Sequence, residues 1–244
     1  LLRTKTREAI LVHTSTESAY SRLVDFVPEK KLKLIRRGMN QFPEFKLLRS
    51  EREVLRIICV ARLVEKKGFP YQIEIYAALR DAGVAFEARI IGEGELRNEI
   101  EEELCKRGLD DQVFLKGRLS QAETMKELAW ADILFHTGVI GSTGDRDGLP
   151  NVIPEAMAAG VVVVASPISG VVEAIEDDVS GILRDVNDPG AWVSECQRIQ
   201  HEDAFSERLR EEGRAWVDRE SVASRNSGKL LYAMEECLSS DKKA

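Results

Sequence analysis

Between Asp145 and Ser166 the chain reads DRDGLPNVIPEAMAAGVVVVAS, which sets two carboxylates, Asp147 and Glu155, on either side of a Gly-Leu-Pro turn that opens a short helix. Such a turn leaves N–H groups without intrahelical partners at the positive end of the helix dipole, where an anion can sit. The flanking carboxylates accept hydrogen bonds from hydroxyl groups. A ligand that is both anionic and polyhydroxylated satisfies both halves, and sugar nucleotides are of that kind. A second cluster, Arg62-Leu-Val-Glu-Lys-Lys67-Gly68, follows the apolar run Leu55–Ala61 and gathers cations in a strand-to-helix loop. There Arg62 can grip phosphate oxygens through two N–H groups, Lys67 supplies a mobile point charge, and Gly68 allows a tight turn with close backbone approach. Cations held ready for the charge that develops on a departing diphosphate lower the barrier without a metal. Taken alone, this loop also fits an ordinary solvated turn, and the acid-flanked helix also fits an ordinary buried one.

Pro154 is compatible with that helix if Asn151 is its N-cap, because a first-turn residue has no intrahelical N–H bond to lose. Gly160 can then end it in a left-handed conformation. Gly92-Glu-Gly94 also follows a strand, but Arg97 stands where a third fingerprint glycine would be, so a nicotinamide dinucleotide is not expected. His136 ends a strand on the edge where ligands bind, and reads either as a ligand contact or as a structural or exposed histidine. His13 and His201 suggest no chemistry, and no Ser-His-Asp or metal-ligand set can be assembled from three histidines.

The elements that must position these groups alternate along the chain. Strands are expected at Ala9–Thr14, Leu32–Arg36, Leu55–Ala61, Phe86–Ile91, Val113–Lys116, Ile133–His136, Val161–Ala165 and Gly181–Leu183. Helical patterns lie near Glu17–Phe26, Tyr71–Ala82, Glu95–Arg107, Gln121–Trp130, Val152–Ala159, Val171–Ile175, Pro189–Gln200, Asp203–Asp218 and Val222–Leu238. Apolar, β-branched strands separated by amphipathic segments predict an α/β fold, a doubly wound Rossmann-like parallel sheet with ligands beyond the carboxyl ends of its strands. The polar stretch Asn40–Glu53, with Pro43, is the best domain boundary. Two strands and a helix upstream of it are too little for an independent core.

Of 244 residues, 43% are apolar and 32% charged, enough for one good core in a soluble globular protein. The net charge of −7 opposes non-specific nucleic-acid binding. No apolar run approaches the ~20 residues of a membrane span, and the N-terminus lacks a signal-peptide core, so a cytoplasmic location is expected. Cys59, Cys105, Cys196 and Cys237 form no C-x-x-C pair and read as reduced core thiols. Starting at Leu1 without a methionine, the chain reads as a fragment of something longer.

ARLVEKKG from Ala61 together with D-x7-E ahead of EAMAAGVVVVAS closely resembles the donor-binding domain of family 4 retaining glycosyltransferases, which have the GT-B fold of two Rossmann domains. Matches continue in order through IIGEGELR, DQVFLKGRLS, WADILFHT and SGVVEAIEDDVSGILRDVND, so the likeness spans Leu55 to Asp188. HTSTESAYSRL and KLKLIRRGMN are similar to the last pieces of that family's N-terminal domain. The resemblance implies three parts. Residues 1–50 are an acceptor-side remnant with a linker, 51–220 a nucleotide-sugar donor-binding Rossmann-like domain, and 221–244 a C-terminal helix crossing toward the N-terminal domain.

Carried over by position, the resemblance implies that Arg62 and Lys67 bind the donor diphosphate and stabilise its departure, and that Glu155 accepts hydrogen bonds from the ribose. Asp147 stands where the family's usual first Glu reaches hydroxyls of the transferred sugar. Backbone at Gly148, Leu149, Pro150 and Asn151 faces sugar and phosphate, and the base lies near Gly117, Arg118 and Leu119. Asp for Glu shortens the reach by one methylene, which bears on sugar selectivity or donor placement rather than on activity as such. Asp145-Arg-Asp147 also forms a D-x-D string that in another glycosyltransferase fold holds a divalent metal; no metal is expected here, because the phosphate partners are cationic side chains. No cofactor is expected either. The donor would be an NDP-sugar such as a UDP- or GDP-sugar, and the acceptor a glycan, lipid-linked or small molecule bound mainly by the missing half, which leaves peripheral membrane association open. A GT-B sugar-nucleotide epimerase and a non-catalytic nucleotide-binding module are the competing readings.

Overall fold

The structure, a computed structural model, describes residues 9–45 and 53–241. Parts of the expected N-terminal piece, of the boundary and of the tail, residues 1–8, 46–52 and 242–244, lie outside the described residues.

Six parallel strands form the main sheet: β3 (Leu55–Val60), β4 (Phe86–Ile91), β5 (Val113–Gly117), β6 (Ile133–His136), β7 (Val162–Ala165) and β8 (Ile182–Leu183). Their spatial order is β5-β4-β3-β6-β7-β8, the doubly wound order in which the chain winds outward from the centre in both directions. The reversal falls between β3 and β6, so the loops leaving their carboxyl ends border the crevice where such sheets bind ligands. A separate two-stranded parallel sheet pairs β1 (Val12–Thr14) with β2 (Leu32–Leu34), beside helix α1 (Glu17–Leu23).

Side chains alternate across the strands and divide the core in two. Leu55, Ile57 and Cys59 of β3 join Ile133 and Phe135 of β6 and Val162 and Val164 of β7 on one face. They are covered by Phe69, Ile73 and Tyr76 of helix α2 (Phe69–Asp81), Ile100 of α3 (Arg97–Lys106) and Trp192 of α6 (Pro189–His201). Ile58, Leu134 and Val163 turn to the other face, under Leu128 of α4 (Gln121–Trp130), Ile153, Ala156 and Met157 of α5 (Val152–Ala158), and Trp216 of α7 (Asp203–Glu220). Burial of one such side chain is worth roughly 1.5–3 kcal/mol, against ~0–1 for an exposed ion pair. The sheet, not its surface charges, therefore fixes the frame on which the loops are mounted.

The expected strands are present, Phe86–Ile91 and Ile133–His136 with the expected bounds and the others with ends trimmed or extended by one to three residues. The helical pattern at Val171–Ile175 is not an α-helix. A 3-10 turn at Ser169–Val171 takes its place, because Gly170 must pass so close to Leu149 N that a Cβ would lie 2.7 Å from it. The break before the last helix, α8 (Ala223–Asp241), falls at Ser221–Val222, where Met39 bridges to Val222. Cys59, Cys196 and Cys237 are buried as expected, and burial pushes the Cys59 thiol up to about 11. Cys105 is exposed on α3 and is not a core thiol. Among the described residues no helix is long and apolar enough to cross a membrane.

Candidate functional site

The loop after β3 turns through a 3-10 segment, Glu65–Lys67, and enters α2 at Gly68. Gly68 has φ +68°, and a Cβ there would lie 1.9 Å from the carbonyl oxygen of Thr137, so only glycine lets this loop lie against the loop after β6. Their backbones are tied directly, Val139 N–H donating to the Lys66 carbonyl at 2.9 Å. Thr137 Oγ1 lies 3.0 Å from both the Lys67 carbonyl and Gln72 Oε1, so its proton serves one or the other.

Three consecutive side chains then fasten the rest of the second loop. Glu65 accepts from Ser142 N–H at 2.9 Å and from its hydroxyl at 3.0 Å. Lys66 Nζ lies 2.9 Å from Asp145 and 3.5 Å from Asp147. Lys67 donates to Asp147 Oδ2, and both groups are largely shielded, with 11% and 15% of their side-chain surfaces exposed. Burial pushes the Asp147 carboxyl up, but His136 and Lys67 outweigh it and hold the group well below the usual carboxylate range. Both carboxylates of the D-x-D string are thus taken by lysine ammonium groups.

Asn151 is the N-cap of α5 and Pro154 its third residue, as Pro154 requires, although the Asn151 side chain makes no capping bond. Glu155 follows in the first turn, half-buried, and its carboxyl is raised by burial with no charged partner to offset it. It lines a cavity of about 460 Å³ bounded also by Ser15, Arg37, Gln41, Gln121 and Asn151. The walls supplied by Ser15 and Arg37 come from HTSTESAYSRL and KLKLIRRGMN, segments whose likeness to the family gave no sign that they border Glu155. Gly170 leaves space for the methyl group of Thr16, the N-cap of α1, from which a Cβ would lie 2.8 Å away. Glu173 accepts from the N–H groups of Glu17 and Ser18 at 2.7 and 3.0 Å and from Arg36 at 2.8 Å, which seats α1 beside the 3-10 turn at Ser169–Val171.

Of the residues expected at the site, Lys67 and Asp147 meet directly, and Gly148 to Asn151 connect Asp147 to the Glu155 helix. Arg62 is exposed just beyond β3, with no ion pair among the described residues. Gly117 ends β5 with φ +72°, and Arg118 beyond it is exposed, while Leu119 packs on the same apolar cluster as Val152 and Ile153. Gly92-Glu-Gly94 is a packing device: a Cβ on Gly92 would lie 1.9 Å from the Ala61 carbonyl oxygen, so the loop after β4 lies on the loop after β3. Lys66 was not singled out, and its pairing partners lie far away in sequence. His136 is not exposed: it is 4% accessible, with Nε2 3.7 Å from Asp147 Oδ2.

Comparison with known proteins fits this geometry. The family described as "Glycosyl transferases group 1" matches residues 41–216. The amylovoran biosynthesis glycosyltransferase AmsK of Erwinia amylovora is 37% identical over 180 residues, 72% of this chain and 44% of that protein. The chain thus spans under half the length of that relative. The structure is similar to that of Anabaena HepE in complex with UDP and glucose, with a TM-score of 0.79 at 18% identity over 95% of this chain and 64% of that one. It is also similar to sucrose-phosphate synthase of Thermosynechococcus elongatus, with a TM-score of 0.81 at 18% identity over 98% of this chain and 61% of that one. At such identities the likeness shows the fold, a GT-B Rossmann-like half.

Proposed function

Since the chain belongs to the group 1 glycosyl transferases, we propose that it is the donor-binding part of an enzyme that moves a sugar from a nucleotide diphosphate to an acceptor, with retention at the anomeric carbon and without a metal ion. The observation that carries this reading is the meeting of the two loops. Lys66, Lys67 and Asp147 lie together at the strand-order reversal, and four residues of backbone link Asp147 to the helix that bears Glu155. A single sugar nucleotide can bridge them.

In this reading Lys67 gives up Asp147 for the donor diphosphate, which carries more charge and is the stronger partner. Arg62, whose guanidinium has no ion pair among the described residues, grips the same diphosphate, and the two cations stabilise the charge that grows as the glycosidic bond to phosphate breaks. Asp147 accepts from hydroxyls of the transferred sugar, and backbone at Gly148, Leu149, Pro150 and Asn151 borders sugar and phosphate. Glu155, an acceptor with no charged partner among the described residues, takes the ribose hydroxyls. Gly117, Arg118 and Leu119 border the base.

The finer assignment to family 4 rests on the basic turn and the acid pair. The relative named for amylovoran biosynthesis favours a glycan or lipid-linked acceptor, held mainly by parts of the protein outside this chain. Peripheral membrane association would come through those parts as well. The relative's name favours a transferase over an epimerase. The reduced, well-separated cysteines favour a cytoplasmic location.

Calorimetric titration with UDP, GDP and ADP tests the reading. One of the three should bind, and Arg62→Ala should weaken it about tenfold or more, the loss expected for a charge-assisted phosphate contact. Absence of binding by all three, or binding indifferent to Arg62, would remove the basis for a donor site.

A further inference from the structure

His136 has no role in the scheme above, yet it is placed for one. It is the last residue of β6, 4% exposed, and neither Nδ1 nor Nε2 has a hydrogen-bond partner. A neutral imidazole always carries one N–H, and a buried donor left unpaired is a cost that native structures rarely tolerate without cause. Nε2 lies 3.7 Å from Asp147 Oδ2, the same oxygen that takes the Lys67 ammonium; that is too long for a hydrogen bond by about 0.5 Å. The ring is packed closely on Gly138, where a Cβ would lie 2.5 Å from Cε1, and its strand is anchored by Ser166 N–H donating to the His136 carbonyl at 2.9 Å. Any closing of the gap therefore falls to the Asp147 loop.

Building on the donor-site reading, we propose that His136 is a positioning residue for Asp147: when a diphosphate draws Lys67 away, Asp147 settles onto the Nε2–H of His136, which keeps its carboxylate aimed at the sugar. The groups facing Asp147 are Lys67, Lys66 at 3.5 Å and His136. Lys66 is already held by Asp145 at 2.9 Å, which leaves His136 as the partner without other commitments. Burial, with Lys67 adding to it, lowers the His136 pKa against the pull of Asp147, so at neutral pH the ring donates without bringing a charge that would compete with the lysines for the ligand. In the free chain Lys67 occupies Asp147; in the bound chain His136 succeeds it.

The test compares the nucleoside diphosphate that binds among UDP, GDP and ADP with its glucose conjugate. His136→Phe keeps the ring volume and removes the N–H. It should lower affinity for the sugar nucleotide about five- to tenfold and change affinity for the bare nucleotide less than twofold. His136→Gln, whose amide nitrogen sits near the place of Nε2, should restore most of the loss, and in an Asp147→Asn background His136→Phe should have no further effect. Nitrogen-15 spectra of the wild-type ring, which need no variant, should show the Nε2–H tautomer with its proton slowed in exchange when UDP-glucose or its counterpart is added. Equal losses for nucleotide and sugar nucleotide, or an Nδ1–H tautomer in the complex, would overturn the assignment and leave His136 a packing residue. Failure of the wild-type chain to bind any nucleoside diphosphate would overturn the donor-site reading as well, and that outcome is distinct from the others.

Discussion

The two halves of the candidate site are built on opposite terms. Along the seam between the loops after β3 and β6, three consecutive side chains are answered by the protein itself: Glu65 by Ser142, Lys66 by Asp145, Lys67 by Asp147. At the mouth of α5, Glu155 is half-buried and answered by nothing charged, while at the start of the loop after β3 Arg62 stands exposed and unpaired among the described residues. The seam is a closed circuit in which a carboxylate occupies the place an anion would take, so the loops are shaped before a ligand arrives. The mouth keeps its acceptor uncommitted. Substitutions in the two halves should therefore change stability with opposite signs while both reduce ligand binding.

The most damaging way to break the contrast is to separate the two loops. Gly68→Ala puts a Cβ 1.9 Å from the Thr137 carbonyl oxygen and forces an L residue to hold φ +68°. Strain of both kinds should cost about 3 kcal/mol, read as a lowered denaturant midpoint with an unchanged m-value. Nucleotide binding should fall with it, because the lysines are carried on the displaced loop. A variant of wild-type stability would mean that the loops are not pressed together at this point.

Asp147→Asn attacks the seam more gently. The Lys67 ammonium loses its carboxylate partner in a shielded place, while Lys66 keeps Asp145, which should cost about 1–2 kcal/mol at pH 7. The sign with pH follows from the lowered carboxyl of Asp147. Its unfolded value is ~3.9, so the contribution is fully present above about pH 5 and disappears as pH falls through the still lower folded value. Wild-type and variant unfolding curves should therefore converge toward acid, and a gap that stays constant down to pH 2.5 would show that Asp147 acts by shape rather than by charge.

Much of the scaffold was legible, because alternating apolar strands and crossover helices leave a period that any window of the chain displays. Gln121–Trp130 and Phe86–Ile91 have the expected bounds. The segment at Val171–Ile175 did not follow its pattern, since Gly170 there serves a close approach to Leu149 and Thr16 that is set by tertiary packing. Site residues were legible where type and local spacing carried the signal, as in the basic turn and the acid pair. The pairing of Lys67 with Asp147 was not, because it joins loops separated by 80 positions and by the strand-order reversal, a relation that no local pattern encodes. The burial of His136 escaped for a related reason: a polar residue at a strand end faces solvent or protein according to the loop that lies over it.

The smallest expected effect sharpens the comparison most, because its sign is opposite to the others. Glu155 is raised by burial, so in the folded chain its ionised form is held at a cost that the unfolded chain does not bear. A carboxyl whose folded value lies above its unfolded value of ~4.3 destabilises the fold at neutral pH, and this penalty fades as pH falls through the folded value until both states are protonated, below about pH 4. Glu155→Gln keeps the shape and removes the charge. It should stabilise the free chain by about 0.5–1 kcal/mol at pH 7, the scale on which functional groups commonly trade stability for use, and should give no advantage at pH 4. The same variant should weaken nucleotide binding several-fold, since an amide offers one acceptor oxygen where the carboxylate offered two. Thermal unfolding at the two pH values and calorimetry at pH 7 measure both effects. If Glu155→Gln proved destabilising at pH 7, the carboxylate would have an internal partner after all, and the mouth of α5 would be a closed circuit like the seam rather than a place left open for a ligand.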